Sequence, residues 1–379
     1  MLSYKITERK KKEMDEKKRI PIPTKRLIIG GIALFLAITG WLLAVNCEGF
    51  SDLYGFNVYP LLVNIFARIS NIFPFSLAEI IVILAVLLVI FSIVFFIVKL
   101  IRSKGRRLSF ILSSLSTVFC VLSSASFIFV YSCGVNYHRK PFSDFSGLTV
   151  RPYSREEVRE ALLYTIKETN NLIEEIELNE EYACILPENI MELSREAMNS
   201  LGEEYPVMDS YYPNVKPVML SELMCYGRIT GIFTPFTMEA NYNTKDMTGE
   251  RGFTLCHELS HLTGFMQEEE ANFIAYLACR ESDDPYMRYS GYSNALSYLL
   301  NAYASTRAED YGEVYSLINP ITLYQFAKYN EFWDSYKTDF GEIATAINDT
   351  YLKINGQEDG TKSYGRVTDL IIADYLKNK

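Results

Sequence analysis

Of the three histidines in this 379-residue chain, His257 and His261 stand four apart with Glu258 between them, in "TLCHELSHLTGFMQEEEANFIAYL" (254–277). On a helix, positions i and i+4 share a face, so the two imidazoles converge on one tetrahedral cation. Glu258 is displaced around the helix, where its carboxylate reaches a water instead of the ion. This HExxH pattern offers metal-assisted hydrolysis, with Zn2+ as the expected metal and Glu258 as general base. The competing reading is a surface salt-bridge set. Against it, Glu258 is the only Asp, Glu, Lys or Arg from Gly252 to Gln267, and Phe253, Leu255, Leu259 and Leu262 give the helix an apolar, buried character.

A catalytic zinc takes three protein ligands and keeps a fourth position open. Gly264 is expected to end the helix, because glycine favours the left-handed turn found at helix C-termini. A second helix then begins at "EEE". Glu268 is the expected third ligand, with Asn272 one turn on as the hydrogen-bond partner of a ligand histidine. Glu270 is the runner-up, and the carboxylates left over suit the positive end of a helix. Cys256 points about 100° away from His257 and reads as a small buried hydrophobe. Arg288, Tyr289 and Tyr292 in "RYSGY" are candidate donors to a transition-state oxyanion, with plain packing as the alternative. The stretch "GIFTPFTMEANYN" (231–243) reads as an edge strand interrupted by Pro235, able to add an extended peptide.

The elements that carry these residues divide at the membrane. Leu27–Val45, Ile80–Val98 and Phe110–Tyr131 are free of charge and long enough to span a bilayer. Serine in the third span suits close helix packing. The first span ends at "LAVNC", and the bulky Asn46 favours a retained anchor over a cleaved signal. Ten Lys and Arg precede the first span, five lie between the second and third, and the loop between the first and second has Arg68 alone. That asymmetry predicts a cytoplasmic N-terminus and an extracytoplasmic C-terminal region. The basic "RKKKEMDEKKR" reads as a solvated tail near anionic lipid.

From Ser132 onward, 21 Lys plus Arg face 39 Asp plus Glu, a net charge of −18. So acidic a region has no electrostatic footprint for nucleic acid, which leaves peptides or proteins as partners beside the bilayer itself. Seven dispersed cysteines do not form a disulfide framework.

The predicted organisation is a basic tail (1–26), a three-helix transmembrane region (27–131, with spans at about 27–45, 78–100 and 110–131), a juxtamembrane linker (132–153) and an extracytoplasmic domain (154–379). The loop between the first two spans reads as a short helix lying in the membrane interface. Ser154 and Glu157 form a capping box for a helix over about 155–176. Residues 182–186 are a second candidate strand, and helical periodicity recurs at 294–304, 320–336, 339–354 and 363–377. The fold class is therefore a helical membrane anchor plus an α+β, mostly helical domain.

Several stretches together, "YPLLVNIF", "PFSLAEI", "GVNYHRKP", "KPVMLSELMCYGRITGIFTPFTMEANYN", "HELSHLTGFMQEEEANFIAYLAC" and "RYSGYSNALSYL", resemble a family of bacterial membrane proteins known as a domain of unknown function. The resemblance runs from the first span to about residue 300, and it implies three N-terminal spans and a zincin-like ectodomain. More widely, the chain is similar to glutamate-type zinc metallopeptidases, whose second motif E-x-x-A-N is matched by Glu268, Ala271 and Asn272. The separation of His261 from Glu268, six residues, is short for that class. The spacing approaches the metzincin layout, whose glycine falls on Gly264 but whose third histidine falls on Gln267, a poor zinc ligand. The expectation is a membrane-anchored zinc metallopeptidase acting on peptide bonds outside the cytoplasm. The alternatives are a metal-pinned binding or signalling module and a zinc amidase acting on cell-envelope material.

Overall fold

Long apolar runs without proline make the first long helices, since every backbone polar group must be satisfied within the segment once water is excluded. The computed structural model describes residues 23–103, 106–355 and 364–379. The basic tail ahead of residue 23 and the centre of the link between the second and third spans lie outside them. In chain order the helices are α1 (Thr24–Asn46), α2 (Phe50–Asn57), α3 (Tyr59–Ser70), α4 (Leu77–Arg102), α5 (Arg107–Ser132), α6 (Phe142–Ser146), α7 (Arg155–Glu175) and α8 (Ile190–Glu204). Strand β1 (Lys216–Val218), helix α9 (Ser221–Tyr226) and strands β2 (Gly231–Thr234) and β3 (Glu239–Asn243) follow. The chain continues with α10 (Arg251–His261), α11 (Glu268–Arg280), α12 (Pro285–Ser305), α13 (Tyr311–Tyr315), α14 (Pro320–Ser335), α15 (Asp339–Ile354) and α16 (Tyr364–Asn378).

Two compact units emerge. The first comprises residues up to Leu43 and Ile80–Tyr131. Its helices α1, α4 and α5 are each long and apolar enough to cross a membrane, and they contain the expected spans. Ser116 and Ser123 of α5 are buried, and the Tyr131 hydroxyl of α5 donates to the Leu36 carbonyl of α1 at 3.2 Å.

The second unit comprises Ala44–Glu79 and Ser132–Lys379 and is mostly helical around a small sheet. At its centre is α11, buried over almost all its length from Glu269 to Cys279, as a helix apolar on every side must be. Helices α10 and α12 pack on it, α7 covers α12, and α8 covers α10. The sheet order is β1-β3-β2, with β1 parallel and β2 antiparallel to β3. The capping box forms as predicted: Ser154 accepts from the Glu157 backbone, and the Glu157 side chain answers. All seven cysteines are free.

Four expectations are revised. Residues 132–153 are not a linker, because Val135 and Phe142 are fully buried and Phe142 packs edge-on to Tyr205, Phe265 and Phe273. The compact unit thus starts before residue 154. The loop between the first two spans folds into this same unit through α2 and α3, with Tyr59, Val63 and Ala67 buried on one face of α3. Residues 182–186 make a single bridge, Leu178 to Cys184, instead of a strand. Pro235 does not interrupt a strand; it lies in the turn that separates β2 from β3, two strands where one was expected.

Candidate metal centre

The four residues of interest are brought together by one helical hairpin. His257, Glu258 and His261 project from α10, and Glu268 stands at the first position of α11. The connection is short because Gly264 adopts φ 91°, a left-handed conformation that suits glycine. One ligand atom each from His257, His261 and Glu268 lies within 4.8 Å of the others, which fits a single ion. The two imidazoles are nearly perpendicular, with ring centroids 4.9 Å apart. His257 Nε2 is 3.4 Å from Glu268 Oε2. His261 Nδ1 is 2.8 Å from the Phe265 carbonyl, which can only accept, so Nδ1 carries the proton and Nε2 keeps its lone pair for a metal. Two imidazoles and a carboxylate are a donor set that zinc takes readily.

The remaining glutamates have other duties. Glu270 Oε2 accepts the Phe142 backbone N–H at 2.7 Å, and Glu269 pairs with Arg366 at 3.2 Å. Glu268 alone of the three faces the histidines. Asn272 also faces this group and favours the protonated form of His257, although His257 Nδ1 has no hydrogen bond of good geometry.

Titration in the metal-free site follows from burial and charge. Burial works against charging His257, but the Glu268 carboxylate, with Glu258 and Asn272, outweighs it and raises its pKa to about 9. Burial and then the charge of His257 push His261 down to about 4. Burial works against ionising Glu268 too, yet the hydrogen bond from His257 and both ring charges bring it down to about 2. Glu258 is raised to about 8, chiefly by burial and further by Glu268, against the opposing pull of His257 and the Phe233 backbone. Its Oε2 is buried with no hydrogen-bond partner among the described residues. A carboxyl oxygen without a partner beside three metal-ligand atoms is placed to hold and move a proton.

Strand β2 runs beside this carboxylate. A Cβ built at Gly231 would collide with Glu258, so glycine here admits the glutamate side chain. Phe233 lies 5.9 Å from the His261 ring, centroid to centroid. A cavity of about 360 Å³ opens from His257, Glu268 and Asn272 toward Arg228, Asn294, Tyr298 and Tyr329.

The "RYSGY" residues are not brought to the centre. Arg288 is 3.7 Å from Glu168, Tyr289 bonds Gln325 at 2.6 Å, and the Tyr292 hydroxyl is 3.2 Å from that of Tyr164. Helix α12 reaches the cavity farther along, through Asn294, Ser297 and Tyr298. A support beneath the hairpin comes from segments read as loop and linker. Arg139 Nη1 donates to the Thr263 carbonyl at 2.6 Å, with its guanidinium over the rings of Phe265 and Phe56. Gln267 Nε2 donates to the Tyr137 carbonyl at 3.2 Å, and the Tyr59 hydroxyl to the His261 carbonyl at 3.3 Å.

No curated protein and no solved structure matches the chain. A family model described as "Protein of unknown function (DUF3810)" matches residues 54–372, a span that includes the whole metal-ligand group and its support. The chain therefore belongs to the DUF3810 family.

Proposed function

We propose that the protein is a membrane-anchored zinc-dependent metallopeptidase that hydrolyses peptide bonds outside the cytoplasm. The observation that carries this reading is the convergence of His257, His261 and Glu268 beside a Glu258 carboxyl with one unpartnered buried oxygen. Three protein ligands leave room for substrate or water, whereas a purely structural zinc site closes with four. A bound zinc would supply Lewis acidity, polarising a carbonyl and making water nucleophilic near neutral pH. His261 is held in its tautomer by Phe265, and Glu268 supplies negative charge to the donor set. Glu258, ionised because the positive charge of a bound cation would offset the burial that raises its pKa, takes the proton from the attacking water at Oε2 and delivers it to the leaving amine.

Strand β2 has β3 as its one strand neighbour among the described residues, and its Gly231–Phe233 stretch flanks Glu258 and His261. An extended peptide added to its free edge would run past the general base, which favours a peptide over a compact amide substrate. The extracytoplasmic assignment rests on the Lys and Arg asymmetry around the three apolar helices.

The test is hydrolysis of a peptide library by the full-length protein after chelation and after return of one equivalent of zinc. Cleavage should vanish with the chelator and return with zinc. A metal-pinned binding module would retain one zinc and cleave nothing in either state.

A further inference from the structure

One end of the three-helix unit is arranged as a receptor for an anion. Where α1 and α5 begin and α4 ends, Lys25, Arg26, Lys99 and Arg106 line a cavity of about 700 Å³, together with Ser109 and Ser113. Arg26 is fixed along α5: its Nη1 donates to Thr117 Oγ1 at 2.8 Å and to Ser113 Oγ at 3.2 Å. Its partners among the described residues, these hydroxyls and the Ser113 carbonyl, are neutral and leave its charge without a counter-ion there. No Asp or Glu occurs among the described residues of this unit. Four cations facing one cavity repel each other, so the arrangement is complete only with an anion between them. The positive ends of α1 and α5 add to the same field, and the negative end of α4 takes away part of that gain.

The position of the cavity along the helices identifies the anion's source. Arg26 immediately precedes the uncharged run Leu27–Val45, and Lys99 immediately follows Ile80–Val98. The cations therefore stand where the apolar length of each helix stops, the depth at which a bilayer holds its phosphates. Guanidinium groups match phosphate oxygens in pairs, and lysines add point charge. The volume equals that of roughly twenty waters at ~30 Å³ each, more than a bare phosphate fills. We propose that this cavity binds the phosphate of an anionic lipid head group.

The test uses the full-length protein in mild detergent, with native mass spectrometry counting retained lipid and three separate probes: phosphatidylglycerol, phosphatidylcholine and inorganic phosphate. The wild type should retain phosphatidylglycerol over phosphatidylcholine by at least about tenfold, and the pair Lys99→Gln with Arg106→Gln should abolish that preference. The pair Lys99→Arg with Arg106→Lys should preserve it. So should Arg102→Gln with Arg107→Gln, which removes two nearby cations that do not line the cavity. Equal retention of the two lipids by the wild type overturns the proposal without recourse to any variant. Equal loss in the Arg102 and Arg107 pair also overturns it, since the attraction would then be diffuse. Inorganic phosphate that binds as tightly as phosphatidylglycerol would assign the cavity to a soluble phosphate and overturn the lipid reading.

Discussion

Glu268, among three successive glutamates, meets the histidines because the other two are already engaged, Glu270 by the Phe142 amide and Glu269 by Arg366. Glu268→Gln should therefore weaken zinc binding beyond the roughly 10–100-fold that loss of an outer-shell partner costs, while Glu269→Gln and Glu270→Gln remain near wild type. Competition with a chromogenic chelator measures all three. Protonation gives a second prediction. In the metal-free protein His257 has a pKa raised to about 9, so near neutral pH its ring is charged and paired with Glu268, and a metal must displace that proton. His261, lowered to about 4, has none to lose. Apparent zinc affinity should rise with pH, by roughly tenfold per unit per proton released, and level off above about 9. Calorimetry in buffers of different ionisation enthalpy should find at least one proton released per zinc at neutral pH; release of none would contradict the pairing. The triad was legible in the sequence because its geometry is that of one helix, a turn and the next helix. The roles suggested for Arg288, Tyr289 and Tyr292 were not, since composition does not say which way a helix face turns.

At the scale of elements, the hairpin of α10 and α11 depends on its turn and on β2. Gly264 has φ 91°, and a Cβ there would also collide with the Arg139 guanidinium. Gly264→Ala should lower the melting temperature and weaken zinc binding together, at a cost of at least about 1 kcal/mol for the left-handed backbone alone. Thermal melting with and without zinc separates the two effects. Gly231→Ala acts differently, since the three atoms nearest the added methyl all belong to Glu258; it should displace that carboxylate and cut hydrolysis while leaving bound zinc unchanged. The helices of the second unit were readable from periodicity, and Ser154 with Glu157 announced one of them. Strand β1 was not, because three residues, one of them Pro217, carry no pattern.

For the molecule as a whole, the unit that holds the metal centre is assembled from segments distant in the chain. Tyr59 and Arg139 reach the hairpin across 202 and 124 residues, contacts that no local pattern encodes. The spacing of Tyr59, Val63, Ala67 and Ser70 was nonetheless a signal that one face of α3 is buried. The Glu239 carboxylate receives the backbone N–H groups of Leu77 and Ala78 and pairs with buried Lys216, so the 44–79 segment is tied into the sheet as well. A chain beginning at Ser132 should consequently fail to melt cooperatively. Burial of Tyr59 and Val63 is worth about 1.5–3 kcal/mol each, and removing the segment also strips partners from a buried ion pair. A cooperative melt at the full-length midpoint would refute this dependence. Whether Glu258 carries the proton in a zinc-dependent hydrolysis is decided by comparing Glu258→Gln with wild type for zinc content and peptide cleavage in one preparation. The variant should hold as much zinc as wild type and cleave about 10²–10⁴-fold more slowly; equal zinc with equal cleavage would mean that Glu258 does not carry the proton.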